Sequence, residues 1–320
     1  MELPNSEVRQ GLVAAYAEVV SRLDLLSTER ALVLPNGEFF PDVFTGDEAS
    51  VQRMLDRLLE HAGISDMALV ARFWGESAAG CGTGACGSCG PAQPEPDSER
   101  VERLIDAGEH WQVNVLPAEV ASPVALGSGL CQAIALAVLR EADAPPRLPL
   151  NLAVDLTAIA LGYGVLMLEG SHIYRKSCGG PSIARTTALG PTEVALLLAL
   201  SAAVSEQPLR KVAKHLSATQ QEAFGEATAW ADSNANLVQA LRSDPTRIAR
   251  GEFQLRETSS WLGRWLGGKL RRAPTAESAT TIEELEAALG AEKNAPRHAL
   301  KAKDPKLDEI RRLVDEALSE

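Results

Sequence analysis

The stretch that decides the fold runs from Ser122 to Ala142: Ser122-Pro123-Val-Ala-Leu-Gly127-Ser-Gly129-Leu-Cys131-Gln132-Ala133-Ile134-Ala135-Leu136-Ala-Val-Leu-Arg140-Glu141-Ala142. Ser122 suits an N-cap and Pro123 the first helical position, where its missing N–H costs nothing. The residues after them are almost all apolar. The spacing predicts one helix to about Ala142, weakened at its start by Gly127 and Gly129.

Helices dominate on both sides of this stretch. Downstream, Asn151 to Glu169 reads as a second apolar helix, interrupted by Gly162 and Gly164. Pro191 to Glu206 is a third, below Gly190. Ser217 to Ala231 is a fourth, with Ser217 as cap and Gln220 three residues on. Upstream, Val8, Leu12, Ala15, Val19, Leu23 and Leu26 recur at helical spacing across Ser6–Leu26. The segment Leu32 to Asp42 carries two prolines and a glycine and is extended or turning, with Phe39 and Phe40 as core anchors. Asp47 caps a helix to Ala62, which Gly63 ends. Two short segments are strand-like: Met67–Phe73, with Leu69, Ala71 and Phe73 on one face, and Trp111–Leu116, with Trp111, Val113 and Val115 alternating. The fold class is therefore α+β and predominantly helical, across residues 1–272. An Ala/Ser/Thr/Pro linker at 273–281 and a charged helical extension at 282–320 follow.

Composition sets the outer limits. The chain has 320 residues, 45% hydrophobic and 23% charged, which is ordinary for a globular protein. Aromatic residues make up 4%, so aliphatic side chains fill the core. The net charge of −12 repels a polyanion and argues against nucleic acid as a partner. The N-terminus lacks the basic start and apolar run of a signal peptide. The most apolar stretches, Leu130–Leu139 and Val194–Val204, are too short to span a bilayer. Three of the five cysteines crowd into one short loop, unlike a secreted disulfide framework. This pattern predicts a reducing, cytoplasmic location.

That loop carries the most chemistry. Cys81, Cys86 and Cys89 stand in a C-x4-C-x2-C array within the glycine-rich segment Gly75–Gly90, ahead of a Pro/Glu/Asp-rich linker at Pro91–Ser98. Glycines let the backbone bend around an ion, and thiolates at such spacing converge on Zn²⁺ or an iron–sulfur cluster. The nine residues resemble the cluster loop of plant-type [2Fe–2S] ferredoxins. A fourth ligand is needed. Cys178 lies in a loop near His172, while Cys131 falls inside the apolar helix; His110 and His172 are the imidazole alternatives. The same loop also reads as free thiols or a redox-sensitive disulfide with no metal.

Other signals are weaker. The five histidines, at 61, 110, 172, 215 and 298, share no i, i+4 spacing. No G-x-S-x-G elbow, P-loop or dinucleotide-binding glycine fingerprint can be drawn. Trp261 to Arg272 is a basic amphipathic patch, which suits packing on its own domain, an acidic partner or a membrane surface.

Three stretches together resemble a group of bacterial HExxH zinc-peptidase-like proteins. They are Leu34–Asp42 (L-P-x-x-x-F-F-P-D), Asp155-Leu156-Thr157 through Leu161-Gly162-Tyr163-Gly164, and Ala188–Glu193. The match spans roughly residues 6 to 240. It implies a zincin-like arrangement: a small sheet packed on a helix that carries two metal-binding histidines and a general-base glutamate. At that place this chain reads Gln132-Ala133-Ile134-Ala135-Leu136, with Asp155 near the expected third ligand. Leucine cannot bind a metal and alanine cannot take a proton from water. The resemblance therefore implies a scaffold whose catalytic site is lost. The function expected is non-catalytic binding or scaffolding, with another protein as partner and the Cys81/Cys86/Cys89/Cys178 set as a structural or sensory zinc site. The alternative is a redox or [2Fe–2S] protein using Cys81, Cys86 and Cys89.

Overall fold

The computed structural model describes residues 2–27, 30–74, 102–177, 180–207 and 212–256, with the backbone alone at 175–177 and 180–183. The Cys loop, the linker after it, Cys178 and everything from residue 257 onward lie outside the described residues.

Helix α1, Ser6–Arg22, opens with Asn5, whose side chain accepts the Val8 N–H at 2.9 Å. It stops four residues short of the expected Leu26. Asp24 adopts a left-handed φ of 49° and reverses the chain, so Leu25 reaches the core from a turn. Helix α2, Glu48–Ala62, has the expected ends: Asp47 accepts the Ser50 N–H at 2.8 Å, and Gly63 takes a φ of 70°. Between them Phe39 and Phe40 pack against the core from an irregular segment.

A three-stranded mixed sheet follows. Strands β1 (Leu69–Phe73), β2 (Leu104–Asp106) and β3 (Trp111–Val115) lie in the order β1-β3-β2, with β1 parallel and β2 antiparallel to β3. Strand β2 was not expected; it is three residues long and buries only Leu104. Helix α2 shields the edge of β1. Gln52 imitates a neighbouring strand: its Oε1 accepts the Ala71 N–H at 2.8 Å while its Nε2 donates to the Leu69 carbonyl at 3.0 Å. Glu48 accepts the Phe73 N–H at 2.8 Å. Unpaired edge groups that would invite another strand are thereby satisfied.

A short α3 (Pro117–Val120) leads into α4 (Pro123–Glu141), the helix expected from Ser122 onward. Helix α5 (Leu150–Ala158) then passes through a π turn at Ile159–Tyr163 into α6 (Gly164–Gly170). Gly162 carries the turn with a φ of 98°, and a Cβ there would sit 2.4 Å from the Ala31 carbonyl oxygen. Only glycine accommodates both. The Gly162 carbonyl in turn accepts the Val33 N–H at 2.9 Å, which ties the extended segment to the turn.

Strands β4 (Ile173–Ser177) and β5 (Gly180–Ala184) form an antiparallel hairpin, also unforeseen. Helix α7 (Pro191–Val204) is buried on nearly every side, and α8 (Ala218–Ser233), α9 (Ala235–Ser243) and α10 (Pro245–Ala249) complete the described chain. The sheet packs on α2 and α4, while α4 packs on α5 and α6, and α7 on α6 and α8. The described part is thus mostly helical with a small mixed sheet.

By length and composition α4 and the α5–α6 rod, 19 and 21 residues with mean hydropathy 1.5 and 1.6, would suffice to cross a membrane. Both exceed the short apolar runs visible in the sequence. They are 67% and 72% buried inside the fold, as core helices are.

Candidate functional site

A cleft of about 380 Å³ opens between α4, α5 and the segment that precedes α7. Helix α4 contributes Gln132 and, one turn on, Leu136. Helix α5 contributes Leu150, Asn151, Val154 and Asp155; the loop contributes Thr186, Thr187 and Ala188; Arg103 comes from the start of β2.

Gln132 and Asp155 meet in its lining. Gln132 Nε2 donates to Asp155 Oδ1 at 2.9 Å and to the Thr186 carbonyl at 3.0 Å. Asp155 Oδ2 accepts the backbone N–H groups of Ala188, at 2.7 Å, and Leu189, at 2.9 Å. Asp155 has no exposed surface. Burial pushes its carboxyl above the usual range; the Leu189 N–H, Gln132, the Ala188 N–H and the Arg185 charge pull the other way. Three donors leave the carboxylate little capacity for a further partner.

The loop is held in place from below. Ser128 Oγ lies 2.6 Å from Thr186 Oγ1, and the Thr186 N–H donates to the Gly170 carbonyl at 2.9 Å. Gly190 then donates to Glu193 Oε2 at 2.7 Å as α7 begins. On the opposite wall Arg103 forms a two-pronged ion pair with Glu119 and donates to the Asn114 carbonyl at 2.9 Å. This pair lies across Gly129, where a Cβ would come within 2.7 Å of the guanidinium.

The structure therefore brings together three residues singled out in the sequence: Gln132, Leu136 and Asp155. Ala133, at the expected general-base position, is fully buried and does not line the cleft. Arg103, Thr186 and Thr187 were not singled out, and Asn151 was named only as the start of a helix. Arg103 carries no local signal, because its partner Glu119 belongs to another element. Ala188 and Leu189 were noted only as part of a family-like turn that opens a helix, not as partners of Asp155.

The proposed cysteine ligands Cys81, Cys86, Cys89 and Cys178 lie outside the described residues. Of the other ligand candidates, His110 sits in the turn between β2 and β3 and His172 at the head of β4. Cys131 is buried within α4 as expected, and burial pushes its thiol well up, which keeps it protonated and inert. His61 is engaged elsewhere, with its ring 4.9 Å from that of Phe39 and its Nε2 3.1 Å from the Phe39 carbonyl. Among the described residues no three His, Cys, Asp or Glu side chains converge.

A second space, about 740 Å³, is lined by Tyr16, Arg30, Gln207 and Arg242. Its arginines serve helix ends: Arg30 Nε donates to the Ala62 carbonyl at 3.1 Å, and Arg242 Nε to the Val204 carbonyl at 2.7 Å. No family model, curated protein or solved structure matches the chain.

Proposed function

We propose that the protein is a non-catalytic binding or scaffolding protein, built on a degenerate zinc-peptidase-like scaffold, with the Gln132–Asp155 cleft as its ligand site. The observation that carries this reading is the hydrogen-bonded pair itself. The positions that the resemblance assigns to metal ligation hold an amide and a leucine, and the nearby carboxylate is spent on three donors. Water activation needs a Lewis acid and a free base, and this cleft supplies neither from its own side chains.

The peptidase assay tests it. The purified protein, with and without added zinc, is expected to leave a broad peptide library uncleaved. Chelator-sensitive cleavage that disappears in Asp155→Ala would overturn the reading.

The Cys loop carries the second part of the proposal. Cys81, Cys86 and Cys89, with Cys178 or an imidazole as fourth ligand, form a structural or sensory zinc knot, because metal binding would couple to the folding of a glycine-rich loop. About one zinc per chain, lost in Cys86→Ser, is the expected result of elemental analysis. Visible absorbance in anaerobically purified protein would favour the [2Fe–2S] alternative. Equal metal in both chains would remove the site.

A further inference from the structure

We propose that the cleft between α4 and α5 takes a small uncharged aliphatic amide, whose N–H is received by Gln132 Oε1 and whose hydrocarbon body lies against Leu136, Leu150 and Val154. The inference rests on the binding role given to this cleft and specifies its ligand.

The polar end is set by a bonding count. Both Nε2 hydrogens of Gln132 are taken, by Asp155 Oδ1 and the Thr186 carbonyl. The amide cannot flip without breaking both bonds, so its orientation is fixed. Its Oε1 makes no hydrogen bond among the described residues and is left as a preset acceptor on the cleft wall. A ligand must therefore bring a donor.

The charged groups that line the cleft already have partners within the protein. Arg103 is paired through both guanidinium prongs with Glu119, so an anion meets a neutralised pair. Both oxygens of Asp155 are occupied, and the side chain is enclosed. A cation would exchange its hydration for one fixed acceptor, leaving most of its N–H groups unsatisfied, which is costly away from water. An uncharged group with a donor and an acceptor suits the site better. Asn151, exposed at the rim beside Leu150, offers the complementary amide to it.

The apolar end is open rather than filled by the protein. Leu150 is 51% exposed, and Leu136 is only partly buried. Covering these side chains supplies the hydrophobic contribution that a single hydrogen bond lacks. A cleft of about 380 Å³ suits a compact molecule and is small for an extended chain.

Three probes with one branched body and different heads test this on the intact chain: isovaleramide, isovalerate and isoamylamine. The readout is a titration of the Gln132 side-chain amide and of the Leu136 and Val154 methyl resonances. Isovaleramide is expected to shift them saturably. The two charged homologues should bind at least about tenfold more weakly, the factor expected from about 1.4 kcal/mol. Leu136→Trp, which fills the cleft from a half-open position, should remove the isovaleramide shifts while leaving the rest of the spectrum in place. Equal or stronger binding of either charged homologue would overturn the ligand class and leave the cleft as a binding site. Undiminished isovaleramide binding by Leu136→Trp would place the ligand elsewhere and overturn the inference. If no probe moves the three residues the inference falls, and the non-catalytic reading is then decided by the peptidase assay alone.

Discussion

Gln132 Nε2 reaches Asp155 Oδ1 across the gap between α4 and α5 at 2.9 Å, and the same nitrogen holds the Thr186 carbonyl at 3.0 Å. One amide thus joins two core helices and a loop, and the carboxylate it holds receives two further donors from that loop. The pair lines the cleft and is also a structural joint.

Asp155→Asn tests that joint with almost no change of volume. All three neighbours of the carboxylate are donors, so an amide group must turn its NH₂ toward one of them. The substitution should destabilise the fold by about 2–3 kcal/mol, the cost of buried donors left unmatched. Urea unfolding at neutral pH measures it. A loss within about 0.5 kcal/mol, the range of an ordinary surface change, would contradict the hydrogen-bond assignment.

Gly129 and Arg103 should be coupled. In the intact protein Gly129→Ala drives a Cβ toward the guanidinium, 2.7 Å away, and displaces the ion pair with Glu119. In an Arg103→Ala background the nearest obstacle is gone and Glu119 Oε1, 3.3 Å from the same point, is released from its partner, so the same change should stabilise α4 by up to about 1 kcal/mol through helix propensity. A double-mutant cycle reads the change of sign. Equal effects in both backgrounds would show that Arg103 does not cross α4 at this point.

The π turn depends on Gly162. Alanine there must hold a φ of 98° and place its Cβ 2.4 Å from the Ala31 oxygen. Gly162→Ala should cost at least about 2 kcal/mol, since strained backbone and a clash with main chain add. The midpoint of chemical unfolding should fall accordingly. An unchanged midpoint would mean that the 31–33 segment does not pass over the turn.

Glu169 gives a pH prediction. Burial raises its carboxyl above the ordinary 4.5, and among the described residues no charge or hydrogen bond offsets this. Between 4.5 and the raised value the folded state holds more proton than the unfolded chain, so stability falls as pH rises through that window. Asp155 acts in the same direction. Glu169→Gln removes the penalty of the charged form. The variant should unfold at higher urea than the parent at pH 7 and with it at about pH 3.5, where both forms are uncharged. A gain that persisted in acid would assign the effect to packing.

What the sequence revealed and what it hid follow from range. The ends of α2 were legible because Asp47 and Gly63 act within one turn of themselves. The break at Gly162 was legible as an interruption, but the reason for it, the Ala31 carbonyl, lies more than a hundred residues away and leaves no local trace. Strand β2 was hidden because three residues with one buried side chain carry no alternation. In the cleft, Gln132, Leu136 and Asp155 could be named from their places in a helix and in a family-like pattern. Arg103, Thr186 and Thr187 could not, and Ala188 and Leu189 were noted only within a family-like turn, since the contacts of Thr186, Ala188 and Leu189 with Gln132 and Asp155 exist only in the folded chain. The turn after α1 was misread because Leu23 and Leu26 keep helical spacing, whereas the backbone at Asp24 does not.

On the proposed reading, the hydrogen-bonded Gln132–Asp155 pair stands where a zinc peptidase would hold its ion. Anomalous diffraction at the zinc absorption edge, on crystals of the full chain grown with added zinc, tests it most directly. The account predicts no anomalous peak within bonding distance of Asp155, whatever is found at the cysteines. A zinc ion at that carboxylate, with Gln132 turned aside, would contradict it.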